Sequence, residues 1–315
     1  MLPDHSKYME KQPMNLACLV VLYNPQTIGI EKVKNNILSY ANFCQKTYII
    51  DNSEKQDIGL KIAGSLKKSE YIFNGNKAGI AGALNKGCAQ ALADGFDYIL
   101  TMDQDSWFEE EQIKQFIKDS AEYAKKDKKS VSFSSKIKTL NESVYWTEWI
   151  RRNVLSPLKR KVLGKKYKKE ADIKFPTEVF TSGNIIKLSV WKEIDGFYEP
   201  YFIDEVDFNF CHRLKRAGYN IVKFSYCHLN HFLGKKTFAL LPKHLNSYST
   251  FRLYYIFRNR FIERYLFPEY EEKYNREIKN AFFDNCINTI HHIRNLKLFL
   301  KAKQDAEVFI EGLSK

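Results

Sequence analysis

The chain has 315 residues, 44% of them hydrophobic and 15% aromatic, with a formal net charge of +13. That apolar content can build a sizeable core and excludes a disordered chain, while no apolar run approaches the roughly 20 residues of a membrane-spanning helix. The polar first 13 residues lack the apolar core of a signal peptide, so a cytoplasmic protein is expected, and six cysteines without a Cys-x-x-Cys pair predict reduced, mostly buried thiols.

In chain order, residues 16–23 read as an apolar strand ending at the turn signal Asn24-Pro25, followed by a helix carrying Val33, Ile37, Tyr40 and Ala41. Residues 47–50 form a second strand, which stops at Asp51-Asn52-Ser53. A third short strand, residues 71–73, leads into the Asn/Gly-rich loop 74–82 and a helix with Leu84, Cys88, Ala91 and Leu92. That loop matches neither the P-loop nor the dinucleotide-binding spacing. Alone it is either a simple strand-to-helix turn or a backbone that lets phosphate approach a helix N-terminus.

The fourth strand, Tyr98-Ile-Leu-Thr-Met-Asp-Gln-Asp-Ser106, is an apolar run that ends abruptly in two acids one residue apart. Strands alternating with helices predict βαβ units and a mostly parallel sheet, whose ligands sit beyond the strands' carboxyl ends. Side chains alternate along a strand, so Asp103 and Asp105 can converge on one hard cation with Gln104 turned aside. An Asp-rich turn capping a helix at Glu109-Glu110-Glu111 is the other reading.

Ile113, Phe116, Ile117, Ala121 and Ala124 then mark an amphipathic helix. Residues 125–169 hold 15 Lys or Arg against Asp127, Glu142 and Glu148, a local balance of +12. Such a segment suits nucleic acid, anionic lipid or diphosphate ligands, and it also reads as a solvated insertion. Within it residues 130–134 read as a strand and 159–169 as a loop. Residues 178–186 read as a strand kinked at Ser182-Gly183. Next come Asp204-Glu205-Val206-Asp207 and a helix over 208–217 closed by Gly218.

Capping of that helix accounts for one or two of these acids; Asp204, first and outside the helix, is the one set to face a cavity as a base. His228 and His231 lie on a strand or loop, as structural residues or ligands. From residue 240 the pattern is helical, with Arg252, Arg258, Arg260 and Arg264 among aromatics. Such a helix either packs on the sheet or lies against an anionic membrane surface.

Taken together, Leu22-Tyr-Asn24, Ile50-Asp-Asn-Ser53, Asn74-Gly-Asn-Lys-Ala-Gly-Ile-Ala81, Met102-Asp-Gln-Asp-Ser106, Thr181-Ser-Gly183, Phe202-Ile-Asp-Glu-Val-Asp207 and Asn230-His-Phe-Leu-Gly234 resemble the successive motifs of family-2 glycosyltransferases. Arg252-Leu-Tyr-Tyr-Ile-Phe-Arg-Asn259 resembles an element of the bacterial rhamnosyltransferase branch. The resemblance implies an α/β GT-A fold with a C-terminal helical extension, and inverting sugar transfer from a nucleotide diphosphate donor. It implies L-rhamnose from dTDP-rhamnose, or a UDP-galactofuranose or UDP-hexose donor, and a saccharide, lipid-linked acceptor in cell-surface polysaccharide synthesis at the cytoplasmic membrane face.

By matching position, Asp204 would be the catalytic base, with Glu205 the alternative because many relatives carry Glu-Asp there. Tyr23, Asn24, Asp51, Asn52, Asn76, Gly79, Ile80 and Asp103 would bind the nucleotide sugar. Asp105, with Asp103 and His231, would hold Mn2+ or Mg2+, and Ser182, Gly183, Asp207, Arg252, Tyr254 and Arg258 would line the acceptor and donor-sugar region. The expected organisation is a polar lead (1–15), a catalytic domain (16–235) and a helical region (240–315). Within the catalytic domain, 16–106 would bind the nucleotide sugar, 125–170 would be a basic insertion and 178–235 the acceptor half. Two other classes compete: a nucleic-acid-binding module, which leaves the strand-end acids unexplained, and a nucleotidyltransferase, which lacks its triphosphate loop at Tyr23-Asn24-Pro25.

Overall fold

The computed structural model describes residues 14–140, 172–232, 248–287 and 291–313. The first 13 residues, 141–171 of the basic segment and 233–247, with the motif's Gly234, lie outside the described residues.

One nine-stranded sheet runs β3-β2-β1-β4-β8-β6-β9-β5, with β7 also on β9. Its first four strands, β1 (Leu16–Leu22), β2 (Thr47–Asp51), β3 (Ser69–Phe73) and β4 (Tyr98–Asp103), are parallel, as their connecting helices require. These are α1 (Ile30–Ala41), α2 (Asp57–Gly64) and α3 (Gly79–Ala93). Beyond β4 the sheet is mixed. β8 (Asn184–Lys187) lies antiparallel to β4 and to β6 (Ser130–Leu140), while β9 (Asn220–Phe232) runs parallel to β6. The short strands β5 (Ser106–Phe108) and β7 (Ile173–Lys174) pair antiparallel with β9.

Every residue of β1 is buried, because both faces of the sheet are covered. Ala17, Leu19 and Val21 pack with α3, whereas Leu16, Cys18, Val20 and Leu22 pack with α1 and α4 (Glu110–Lys126). Of the strand expected over 178–186, only its end pairs. Gly183 takes a left-handed φ of 72° and donates to the Thr101 carbonyl, so the chain turns where an extended strand would have continued. All six cysteines are free and buried.

The C-terminal helices α7 (Thr250–Leu266), α8 (Glu271–Phe282) and α9 (His292–Leu313) share this core: Phe261, Ile262, Ile278 and Ala306 join the α3-side cluster. A buried polar knot ties α7 to α6 (Val206–Arg216), which follows the short helix α5 (Leu188–Glu193). In it His212 contacts Glu263 at 2.8 Å and Glu178 at 2.7 Å, one carboxylate on each ring nitrogen. Carboxylates only accept, so both nitrogens carry protons. Burial alone would push the imidazole down, but its hydrogen bonds to Glu178 and Glu263 outweigh that and hold its pKa above the ordinary value.

Among the described residues no helix is long and apolar enough to cross a membrane. Replacing His212 with Leu leaves the buried Glu263 carboxylate without its cation, while Glu178 keeps Lys273, and should cost about 3 kcal/mol of stability. Because the folded imidazole is raised, this loss is complete below about pH 6.5 and shrinks as pH rises through the folded value. Denaturant unfolding of both proteins across pH 6–10 checks it; a pH-independent difference overturns it.

Candidate active site

The parallel register sets Val21 of β1 beside Asp103 and Leu22 beside Asp51, so the strand-end acids share one sheet edge. Asp103 closes β4, Asp105 lies in the link to β5, and the antiparallel pairing of β5 with β9 puts Ser106 opposite His231. Ligand atoms of Asp103, Asp105 and His231 lie within 4.8 Å of one another. Gln104 is turned aside: its amide takes the Tyr23 N–H at 3.1 Å and donates to the Tyr23 carbonyl at 2.8 Å. Ser182 accepts from the Asp103 N–H at 3.1 Å and donates to Ser106 Oγ at 3.0 Å, which in turn lies 2.7 Å from His231 Nδ1.

These three side chains fit a divalent cation. Asp105 Oδ1 is buried without a hydrogen-bond partner, 3.4 Å from His231 Nδ1. Burial raises Asp105, and burial together with the Asp105 charge pushes Asp103 up to about 6. A buried oxygen lacking a donor, beside an acid already resisting ionisation, is relieved by a divalent cation, for which two carboxylates and an imidazole are a suitable donor set in chemical terms.

The β3–α3 loop carries Gly75, Asn76, Ala78 and Gly79 at φ between 54° and 61°. Asn52 fastens it, donating to the Gly79 carbonyl at 2.9 Å and accepting from Asn74 at 2.7 Å. A Cβ on Gly79 would stand 2.2 Å from the Phe202 carbonyl oxygen, and the next N–H, of Ile80, donates to that carbonyl at 2.8 Å. Glycine is therefore required for close approach as well as for its left-handed backbone. Asp51 is fully buried, accepting from the Ser53 N–H at 2.8 Å and the Tyr71 hydroxyl at 2.9 Å, so nucleobase contact would use the lone pairs these bonds leave. Asn24, left-handed at φ 46°, donates its N–H to Ser53 Oγ, and Tyr23 is half exposed at the rim.

Across from this loop, Arg252 grips the Asp204 carboxylate, Nε lying 3.1 Å from both oxygens and Nη2 2.9 Å from one. The Arg252 charge also acts on Asp103, and Asp207 feels Asp103 and Asp204, so the turn and the β4 end face a common space. Burial, with Glu205 and these charges added, pushes Asp207 up to about 7. Glu205 is placed differently: it is buried in an ion pair with Arg260 at 2.9 Å, and burial pushes it up to about 7 against that guanidinium.

The polar ends of Tyr254 and Arg258 are engaged away from the acids, the former on Asp305 of α9 at 2.6 Å and the latter on the Pro200 carbonyl at 3.0 Å. Those two therefore brace the C-terminal helices rather than line the cleft, because the helical periodicity of α7 turns them toward α9 and the Pro200 segment. His228 pairs with Lys136 in the sheet, and its N–H takes Gln112 Oε1. Two residues that sequence reasoning missed are Ser106, whose signal was its position directly after the acid pair, and Asn259, which carried only the last letter of a motif.

Residues 29–183 match the model for Glycosyl transferase family 2. The dTDP-rhamnosyl transferase RfbF of Shigella flexneri is 25% identical over 251 residues, 79% of this chain and 79% of that protein. The crystal structure of S. aureus TarS 1–349 in complex with UDP-GlcNAc superposes with a TM-score of 0.54 at 16% identity, over 93% of this chain and 80% of that one. GalNAc-T7 with UDP, GalNAc and Mn2+ superposes with a TM-score of 0.52 at 11% identity over 70% of this chain, which spans only 44% of that structure's length. The fold is thus the α/β GT-A fold.

Removing a ligand should be read directly as metal affinity. Asp105→Ala should weaken Mn2+ binding by about tenfold or more, about 1.4 kcal/mol, in a calorimetric titration of the folded variant. Wild-type affinity in Asp105→Ala would remove the cation from this site.

Proposed function

We propose that the chain, whose residues 29–183 match the family-2 glycosyltransferase model, moves L-rhamnose from dTDP-rhamnose, with inversion, onto a saccharide acceptor carried on a lipid. The observation that carries the reading is the group of Asp103, Asp105 and His231 at one sheet edge with the Arg252-bound Asp204 across the cleft from it. A carboxylate that takes a proton and a group that neutralises a departing diphosphate are what a single displacement needs.

The acceptor hydroxyl gives its proton to Asp204 as its oxygen bonds to the anomeric carbon. The bond from that carbon to the diphosphate breaks on the opposite side, its electron pair leaves with the nucleoside diphosphate, and the configuration inverts. Arg252, half exposed beside Asp204, can turn its guanidinium toward the negative charge that develops. Asp105, Asp103 and His231 would hold a divalent cation, which when bound neutralises the diphosphate. Asn52, Asn76, Gly79 and Ile80 form the donor wall, with Asp51 and Tyr23 toward the nucleoside. Ser182 supports Asp103 from the turn before β8, where Gly183 bonds to Thr101, and Asp207 adds to the negative field around the transferred sugar.

The rhamnose donor rests on the likeness to RfbF. UDP-galactofuranose and UDP-hexoses are the second reading, favoured by the likeness to a structure holding UDP-GlcNAc. A role in cell-surface polysaccharide synthesis, with docking on the cytoplasmic face of the membrane, rests on the family resemblance of the sequence motifs and on the net charge of +13.

A donor-hydrolysis panel of dTDP-rhamnose, UDP-galactofuranose and UDP-hexoses with Mn2+ or Mg2+ decides the donor; turnover of none of them overturns the reading. Asp204→Asn should lower transfer by about 10²- to 10⁴-fold while leaving nucleoside diphosphate affinity unchanged. Wild-type turnover in that variant would end the assignment of Asp204 as base.

A further inference from the structure

The peptide that presents Asp204 is held in an uncommon shape. Phe202 has φ 63° and ψ −59°, and the Ile203 N–H donates to the Tyr201 carbonyl at 2.6 Å, which makes the rare, strained form of the three-residue γ-turn. Asp204 at φ 59° and Glu205 at φ 61° follow, both left-handed. Three of four consecutive non-glycine residues thus occupy backbone regions that L-residues avoid, and such a segment persists only where its surroundings over-determine it.

The surroundings here converge on one side chain. Asn259 of α7 is fully buried, and its Nδ2 lies 3.0 Å from the Tyr201 carbonyl, 2.8 Å from that of Ile203 and 2.9 Å from that of Asp204. An amide carries two hydrogens, so three acceptors share them. The remaining carbonyl of the run, that of Phe202, is taken by the Ile80 N–H at 2.8 Å. Four successive carbonyls are therefore fastened from outside the turn, three of them by one amide.

The same helix supplies the neighbouring grips. Glu263, one turn along from Asn259 and fully buried, accepts from the Tyr201 hydroxyl at 2.6 Å and from Asn209 Nδ2 at 2.6 Å. Arg252, two turns earlier, holds the Asp204 carboxylate itself. We infer that Asn259 is a positioning residue for the transfer reaction: it touches no substrate, and by gathering these carbonyls it fixes the strained turn and so the direction of the Asp204 carboxylate. The inference rests on the reading of Asp204 as the base.

The test is a double-mutant cycle on the full chain, using the nucleotide sugar that the hydrolysis panel turns over fastest. Asn259→Ser keeps one hydroxyl donor and leaves room for water beside the carbonyls. It should lower kcat by about 10²-fold, the effect of a misplaced catalytic group, with KM for the donor and the affinity for UDP and dTDP in Mn2+ within about twofold of wild type. Combined with Asp204→Asn, it should cause no further loss, and the Ile203 and Ile80 amides should exchange hydrogen faster.

An unchanged kcat, an equal loss in the Asp204→Asn background, or a loss carried by donor KM would each overturn the proposal. Asn259→Gln, which retains both donors one methylene further out, runs the same cycle if the serine variant does not fold, and a kcat loss that vanishes in the Asp204→Asn background supports it equally. Failure of the base reading itself is separate: it is seen in Asp204→Asn alone, before Asn259 is changed.

Discussion

Four carboxylates, those of Asp103, Asp105, Asp204 and Asp207, are drawn toward one sheet edge, and their mutual repulsion in a half-buried cleft is the constraint that the rest of the site answers. The described residues supply His231 beside Asp105 and Arg252 on Asp204, and among them no cation forms an ion pair with Asp207. Burial, with the neighbouring carboxylates adding to it, pushes Asp103 up to about 6 and Asp207 up to about 7. A diphosphate entering alone would add to that negative charge, whereas a cation relieves the acids and attracts the diphosphate together. Binding of a diphosphate and of a cation at this edge would therefore be coupled by electrostatics.

The same cleft is mechanically one piece. The donor loop and the Asp204 turn meet at the Phe202 carbonyl, which accepts from Ile80 and stands where a side chain at Gly79 would be. A shift of the α3 N-terminus thus moves the γ-turn, and a change at the turn alters the first turn of α3. The β3–α3 loop and the Asp204 turn cannot be moved independently, in keeping with the clusters of left-handed residues that both segments carry.

Much of this edge was legible because buried parallel strands write themselves as apolar runs that stop at polar residues, as at Tyr23, Asp51 and Asp103. The direction of the later strands was not, since period-two alternation carries no sign of parallel or antiparallel pairing. The pairing of β5 with β9 is a contact between residues 125 apart, Ser106 and His231, and only three-dimensional structure brings that histidine to the acids. Residues 178–183 looked extended because Val, Phe and Thr favour strands, but Gly183 turns the chain first. The helix α2 was invisible in a stretch of mixed polarity. Asn259 was unreadable for a different reason: a buried amide bonding to backbone carbonyls leaves no periodic or charged pattern.

A boundary near residue 240, drawn where the pattern turns helical, separates the chain by composition but not by energetics. Phe261, Ile262, Ile278 and Ala306 belong to the same apolar cluster as Leu19 and Val21 of β1. On the polar side, α7 delivers Arg252, Asn259 and Glu263 to the segment that carries Asp204. The sheet alone can gather Asp103, Asp105 and His231, because strand register does that work. It cannot hold a carboxylate on a strained turn at the opposite wall, and the helices that do so are part of the site rather than an attachment to it.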